Sequence, residues 1–218
     1  MKNVPFNRRS FATGLACAAA VAYGINAVAQ PANRQIAAVN PAVNAAAKVP
    51  AELGAFGGGT QWQMQGSGAL RFFGFKAYDA NLWTTAPTQN TVNPHTAKSL
   101  YALEIVYNTG IKSAEIVNVS LVEMARLRKL TDNQLKAWTA EMQRTFPSVV
   151  SGDRLTGLHI PNGGTRFFFN SRLISEIADP AYGDAFFAIW LDEGTKRPDL
   201  RKQLLGQPPT PAAATGTS

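Results

Sequence analysis

Apolar and polar residues alternate with period two through much of residues 61–107. The pattern turns helical over 114–142 and alternates again after Pro147. Gln61 to Gln65, with Trp62 and Met64 at alternate positions, predicts a first strand that ends in a turn at Gly66. Phe72 to Trp83 predicts one or two more strands, with Tyr78, Ala80 and Leu82 on one face and Ala77, Asp79, Asn81 and Trp83 on the other. Ala86 to His95, polar and interrupted by Pro87 and Pro94, reads as a loop. Ser99 to Tyr107 reads as a strand that turns Tyr101, Leu103, Ile105 and Tyr107 to one side.

Ser113 is placed to cap a helix over 114–128, in which Val117, Leu121 and Met124 recur at helical spacing. Thr131 to Gln134 has the form of a capping box, opening a second helix with Leu135, Trp138 and Met142 on its buried face. Arg154 to Ile160 and Thr165 to Asn170 flank Pro161-Asn162-Gly163-Gly164. An Asn-Gly pair tolerates the positive φ of a type I′ turn, so this is a hairpin signal. A short strand over Leu173–Ile177 follows. Asp179-Pro180 supplies an N-cap and a first-turn proline for a helix with Tyr182, Phe186, Ile189 and Trp190 inward. Pro198 opens a last short helix that Gly206 and Pro208 end. This order predicts an α+β fold: a mainly antiparallel sheet with helices packed on one face.

The ends differ in composition. Lys2, Arg8 and Arg9 precede a short apolar run from Gly14 to Ile25, and Ala27-Val28-Ala29 offers a cleavage site before Gln30. Residues 1–29 therefore read as a signal peptide. Its run is too short for the ~20 residues that cross a bilayer, so no transmembrane segment is expected after cleavage. Arg8-Arg9-Ser10-Phe11 resembles a twin-arginine signal, and ordinary Sec export fits as well. Both give a periplasmic or secreted protein. Residues 30–50, rich in Ala, Asn, Gln and Pro, read as a flexible leader, and 207–218 as a disordered tail. The folded domain is expected over 51–206.

Cleavage would remove Cys17, the only cysteine, and lower the net charge from +7 to +4. A mature chain without cysteine has no disulfide, thiolate nucleophile or cysteine metal site. The basic excess is mild, and its densest cluster, Arg126-Leu127-Arg128-Lys129, reads as a solvated helix end; no nucleic-acid partner is expected. His95 and His159 are the only histidines, far short of a metal-ligand set, so no metal is expected. Gly57-Gly58-Gly59 lacks the lysine and helix of a phosphate loop, and no cofactor is implied.

Arg71, between Leu70 and Phe72, is the candidate ligand-binding group. A guanidinium among apolar neighbours must reach water by its tip or meet an anion. Gly66 and Gly68 permit a bulge beside it, where a ligand could approach the backbone. Tyr78, Tyr101 and Tyr107 are the further candidates, readable either as pocket phenols or as core tyrosines.

The segments GSGALRFFGFKAYDANLW (66–83), GDRLTGLHIPNGGTRFFFN (152–170), DAFFAIWLDE (184–193) and LRKQLLG (200–206) together resemble the chalcone isomerase family in its bacterial secreted branch. The resemblance implies an open-faced β-sandwich with a small-molecule pocket between sheet and helices. In the plant enzymes an arginine, a threonine, a tyrosine and an asparagine hold a substrate that closes its own ring. Arg71 matches the arginine and Tyr78 falls where the threonine stands. Alignment on Ser113 puts Lys112 at the tyrosine position and Val119 at the asparagine position; a shift of register brings Asn118 or Ser120 near the latter. Catalytic residues are thus left unassigned. The resemblance implies a small apolar or carboxylate ligand, such as a fatty acid, in a non-catalytic protein. An intramolecular lyase with altered helpers and a structural or partner-binding envelope protein are the alternatives.

Overall fold

The computed structural model describes residues 48–54, 56, 61–72, 74–85, 93–96 and 99–207. The expected signal peptide, nearly all of the leader, and the tail from 208 onward lie outside them. Six strands, β1 (Gln63–Phe72), β2 (Phe75–Thr84), β3 (Tyr101–Tyr107), β4 (Arg154–Ile160), β5 (Gly164–Phe169) and β6 (Arg172–Ile177), form one antiparallel sheet in sequence order. Helices α2 (Ser113–Leu127) and α3 (Asp132–Thr145) separate β3 from β4, and α4 (Pro180–Leu191) and α5 (Pro198–Leu204) follow β6. All four bury apolar side chains against one face, whose core includes Leu82, Leu103, Leu155, Phe167, Met124, Met142, Phe186 and Leu204. The short α1 (Ala51–Gly54) belongs to a smaller cluster with Trp62, Met64, Trp83, Ala102 and Leu158, the residues of opposite parity. The α+β class is as expected.

β1 departs from expectation. β1 continues past Gly66 and Gly68 without turning back, and the turn comes at Gly74, whose φ is +81°. A bulge between Met64 and Gly66 moves the glycines to the face opposite Met64. There α5 lies on them: a Cβ at Gly66 would stand 2.2 Å from the Gln203 carbonyl oxygen, and one at Gly68 2.7 Å from Leu200 Cδ1. The glycines thus admit a helix from the far end of the chain, which occupies the place where a ligand was expected to approach the backbone.

The helix starts follow the sequence with one exception. The capping box of α3 forms: Thr131 Oγ1 accepts from Gln134 N, and the Gln134 side chain accepts from Thr131 N. Asp179 caps α4 through Ala181 N. Ser113, expected to cap α2, is its first helical residue and donates to the Phe146 carbonyl at 2.6 Å, while its own N–H is taken by Ser148 Oγ. Leu135 is exposed, since burial of α3 begins only at Trp138. The β4–β5 connection is a three-residue loop, with positive φ at Asn162 and Gly164 where a type I′ turn needs it at Asn162 and Gly163.

Candidate functional site

The sheet and helices leave a cavity of about 310 Å³ at the end of the sheet formed by the β1–β2 hairpin and the close of β3. Leu70, Tyr78, Ile105 and Tyr107 are its floor. Ile116, Val119, Ser120 and Glu123 line it from α2, and Phe186, Ile189 and Trp190 from α4. Thr195, Lys196 and Arg197, in the strap between α4 and α5, complete the wall. The α4 contribution follows from its sequence, apolar almost all round, and from its nearly complete burial.

A few polar groups are set into this apolar lining. The Tyr78 hydroxyl accepts from Trp190 Nε1 at 2.9 Å, tying β2 to α4. Tyr78 and Tyr107 are directly paired across β2 and β3, their rings edge-on at 6.2 Å. Burial, reinforced by the Tyr78 neighbour, pushes the Tyr107 phenol well above its usual range, so it stays protonated at neutral pH. Glu123 accepts from Lys196 Nζ at 2.6 Å and from Arg126 Nε at 2.9 Å. Burial opposes ionisation of this carboxyl, yet the two cations hold it below the usual range. Arg126 also donates to the Gly194 carbonyl and Arg128 to Asp192, so the helix end read as solvated instead clamps the strap.

A second depression, about 320 Å³, opens beside the first and is lined by Arg71, Pro198, Leu200 and Gln203. The two share Leu70, Lys196 and Arg197. Arg197 makes no ion pair among the described residues, whereas Lys196 is engaged by Glu123. An apolar chamber therefore adjoins a groove carrying Arg71, Lys196 and Arg197 against the single acid Asp199.

The four candidates separate. Tyr78 and Tyr107 line the cavity. Arg71 does not: Leu70 takes the inward place on β1, and the exposed Arg71 lies in the neighbouring groove. The candidate pair Arg71 and Tyr78 stands on different strands around the Gly74 turn. Tyr101 is also outside the cavity. It shares a face with Tyr107 but sits at the other end of β3, roughly 20 Å along the strand. There it is fully buried, stacked on His159 at 4.7 Å, with its hydroxyl 2.9 Å from His95 Nδ1. Asp79, inside the same hairpin, pairs with Lys76 at 2.8 Å.

On α2, Lys112 is exposed at the N-cap and Asn118 is exposed, while Val119 and Ser120 reach the cavity. Sequence reading passed over Glu123. Its signal was an acid in the apolar stripe of α2, four residues after Val119 and seven after Ile116. Among the described residues no group of three His, Cys, Asp or Glu side chains is arranged for a metal ion, and no helix is long and apolar enough to cross a membrane.

Residues 43–206 match the model of a family described as chalcone isomerase-like. An uncharacterised protein of Haemophilus influenzae is 27% identical over 147 residues, covering 67% of this chain and 69% of that protein. Among solved structures, a fatty-acid binding protein of Arabidopsis thaliana superposes with a TM-score of 0.54 at 11% identity, over 68% of this chain and 88% of that one. The likeness extends to the fold.

Proposed function

This chain belongs to the chalcone isomerase-like family, and from that premise we propose that it is a non-catalytic binding member of it, taking a small hydrophobic carboxylate such as a fatty acid. The observation that carries the reading is the junction of the two depressions. The apolar part of such a ligand fills the cavity over Tyr78, Tyr107, Phe186 and Trp190, and its carboxylate emerges at the shared wall toward Arg197 and Arg71. A guanidinium suits this task because its donors match a carboxylate in two places. The cavity volume falls at the lower end of the ~300–1,000 Å³ of small-molecule sites. The fold neighbour named for fatty-acid binding supports the ligand class. The non-catalytic reading is supported by α2, which brings Val119, Ser120 and Glu123 to the cavity and neither a tyrosine nor an asparagine.

Calorimetric titration with decanoate tests this. Wild type is expected to bind, and Arg197→Ala and Arg71→Ala each to weaken binding by ~10-fold, about the worth of one charge-assisted hydrogen bond. Equal affinity in wild type and both variants, or no binding, would refute the reading. Export is part of the proposal, resting on Lys2, Arg8, Arg9 and Ala27-Val28-Ala29. N-terminal sequencing of protein from the native cell should start at Gln30; protein retaining Met1 in the cytoplasm would refute it.

A further inference from the structure

The two cations on Glu123 form an arrangement that the binding reading leaves unused. Lys196 Nζ lies 2.6 Å from Oε1 and Arg126 Nη2 2.8 Å from Oε2, so each carboxylate oxygen has its own cationic donor. The Glu123 side chain is only 7% exposed, while those of Lys196 and Arg126 are 44% and 34% exposed. Both Glu123 and Lys196 line the cavity. Lysine and arginine converging on one carboxylate is how a protein holds an anionic ligand. Here the carboxylate is supplied by the chain itself.

We propose that Lys196 and Arg126 make up a latent anion site in the wall of the cavity, and that Glu123 is its resident carboxylate and the specificity determinant of the cavity. The inference rests on the carboxylate-binding reading above. With Lys196 and Arg126 both engaged by Glu123, an incoming carboxylate meets cations beside Glu123 that are already paired. Glu115, the other carboxylate on the lining, also opposes it. Arg197, unpaired among the described residues, lines both the cavity and the groove and is left for the ligand's head group. Ligands are therefore admitted tail first, head outward. A molecule with a carboxylate at each end must take one into a cavity whose lining already carries Glu123 and Glu115, and is rejected. Removing the Glu123 carboxylate exposes the latent site and relaxes that rejection.

The test compares wild type, Glu123→Ala and Glu123→Gln with decanoate and decanedioate, which differ only in the second carboxylate. Wild type is expected to prefer decanoate by ~10-fold or more, the scale of one charge interaction at partly buried distances. In both variants that preference falls by ~10-fold or reverses. A second reading uses no long ligand. Glu123→Ala leaves a hole of carboxylate size beside two cations, so acetate should raise its melting temperature saturably above chloride at equal ionic strength, with no such difference in wild type. This arm remains readable if the alanine variant is destabilised. An unchanged decanoate-to-decanedioate ratio, or acetate acting no better than chloride, would overturn the inference. Failure of wild type to bind decanoate would instead refute the carboxylate reading of the cavity, leaving the acetate melt to judge the latent site alone.

Discussion

Alanine at Gly66 separates a docked α5 from a loosely attached one. Its Cβ would stand 2.2 Å from the Gln203 oxygen, 2.5 Å from the Leu204 oxygen and 2.8 Å from the Leu204 carbonyl carbon. All three are backbone atoms, so no rotamer change relieves the clash; the helix must retreat by ~1 Å or leave. Overpacking of this kind costs ~1–3 kcal/mol. Leaving exposes Leu200, Leu204 and Leu205, each nearly fully buried, at ~1.5–3 kcal/mol apiece, offset by the chain entropy regained. We therefore expect a loss of ~2–4 kcal/mol, read as a lowered midpoint in urea at unchanged slope. Two other glycines calibrate it. Gly54→Ala meets nothing within 4 Å and should stay within ~0.5 kcal/mol of wild type. Gly74→Ala meets nothing either but carries the φ of +81° and should cost ~1 kcal/mol. The groove is walled by Leu200 and Gln203, so Gly66→Ala should also weaken decanoate binding. Stability of Gly66→Ala equal to wild type, or no worse than Gly74→Ala, would refute the packing of α5 on β1.

Acid sensitivity follows from the strap. Burial works against the charge of Glu123 and Asp192, but their hydrogen bonds and cations prevail, holding both below their ordinary values of 4.5 and 3.8. Folded values below unfolded ones mean that this stabilisation is complete above about pH 4.5 and is lost as pH falls through the folded values. The melting temperature of wild type should drop in that window, and the drop should be shallower in Glu123→Gln and Asp192→Asn; curves parallel to wild type would contradict this. Thr131→Ala removes one side of the α3 capping box and should cost ~1 kcal/mol, whereas Ser113→Ala removes the hydroxyl bond to the Phe146 carbonyl, a tie between the start of α2 and the end of α3. Urea unfolding checks both; no change on Thr131→Ala would argue against the cap.

What the sequence made legible is local in origin. Thr131 with Gln134, and Asp179 with Pro180, satisfy the open ends of their own helices and need no distant partner. Period two also found the correct face for Tyr101 and Tyr107. Periodicity assigns a face and not a place along it, so Tyr101 looked equivalent to Tyr107 although a whole strand separates them. Gly66 read as a turn because the reason for a glycine there is α5, more than 130 residues later in the chain. Ser113 was assigned a cap that Ser148 performs from the far end of α3. The cavity wall was hidden for the same reason. Glu123 and Lys196 meet only because the strap folds back on α2, and a lone acid in an apolar stripe does not announce its partner. Arg71 reads in the sequence as a cation needing water or an anion, and it stands exposed in the groove because Leu70 takes the place in the cavity.

In the proposed complex a hydrophobic carboxylate sits between the sheet and helices α2 and α4. Isoleucine methyl resonances, recorded during a decanoate titration, test it most directly. Ile105, Ile111, Ile116 and Ile189 line the cavity, while Ile160 packs on the opposite face of the sheet and Ile177 lies on β6. The first four are expected to shift together and saturate while Ile160 and Ile177 hold still. Shifts centred on Ile160 or Ile177, or none at the four cavity residues, would contradict it.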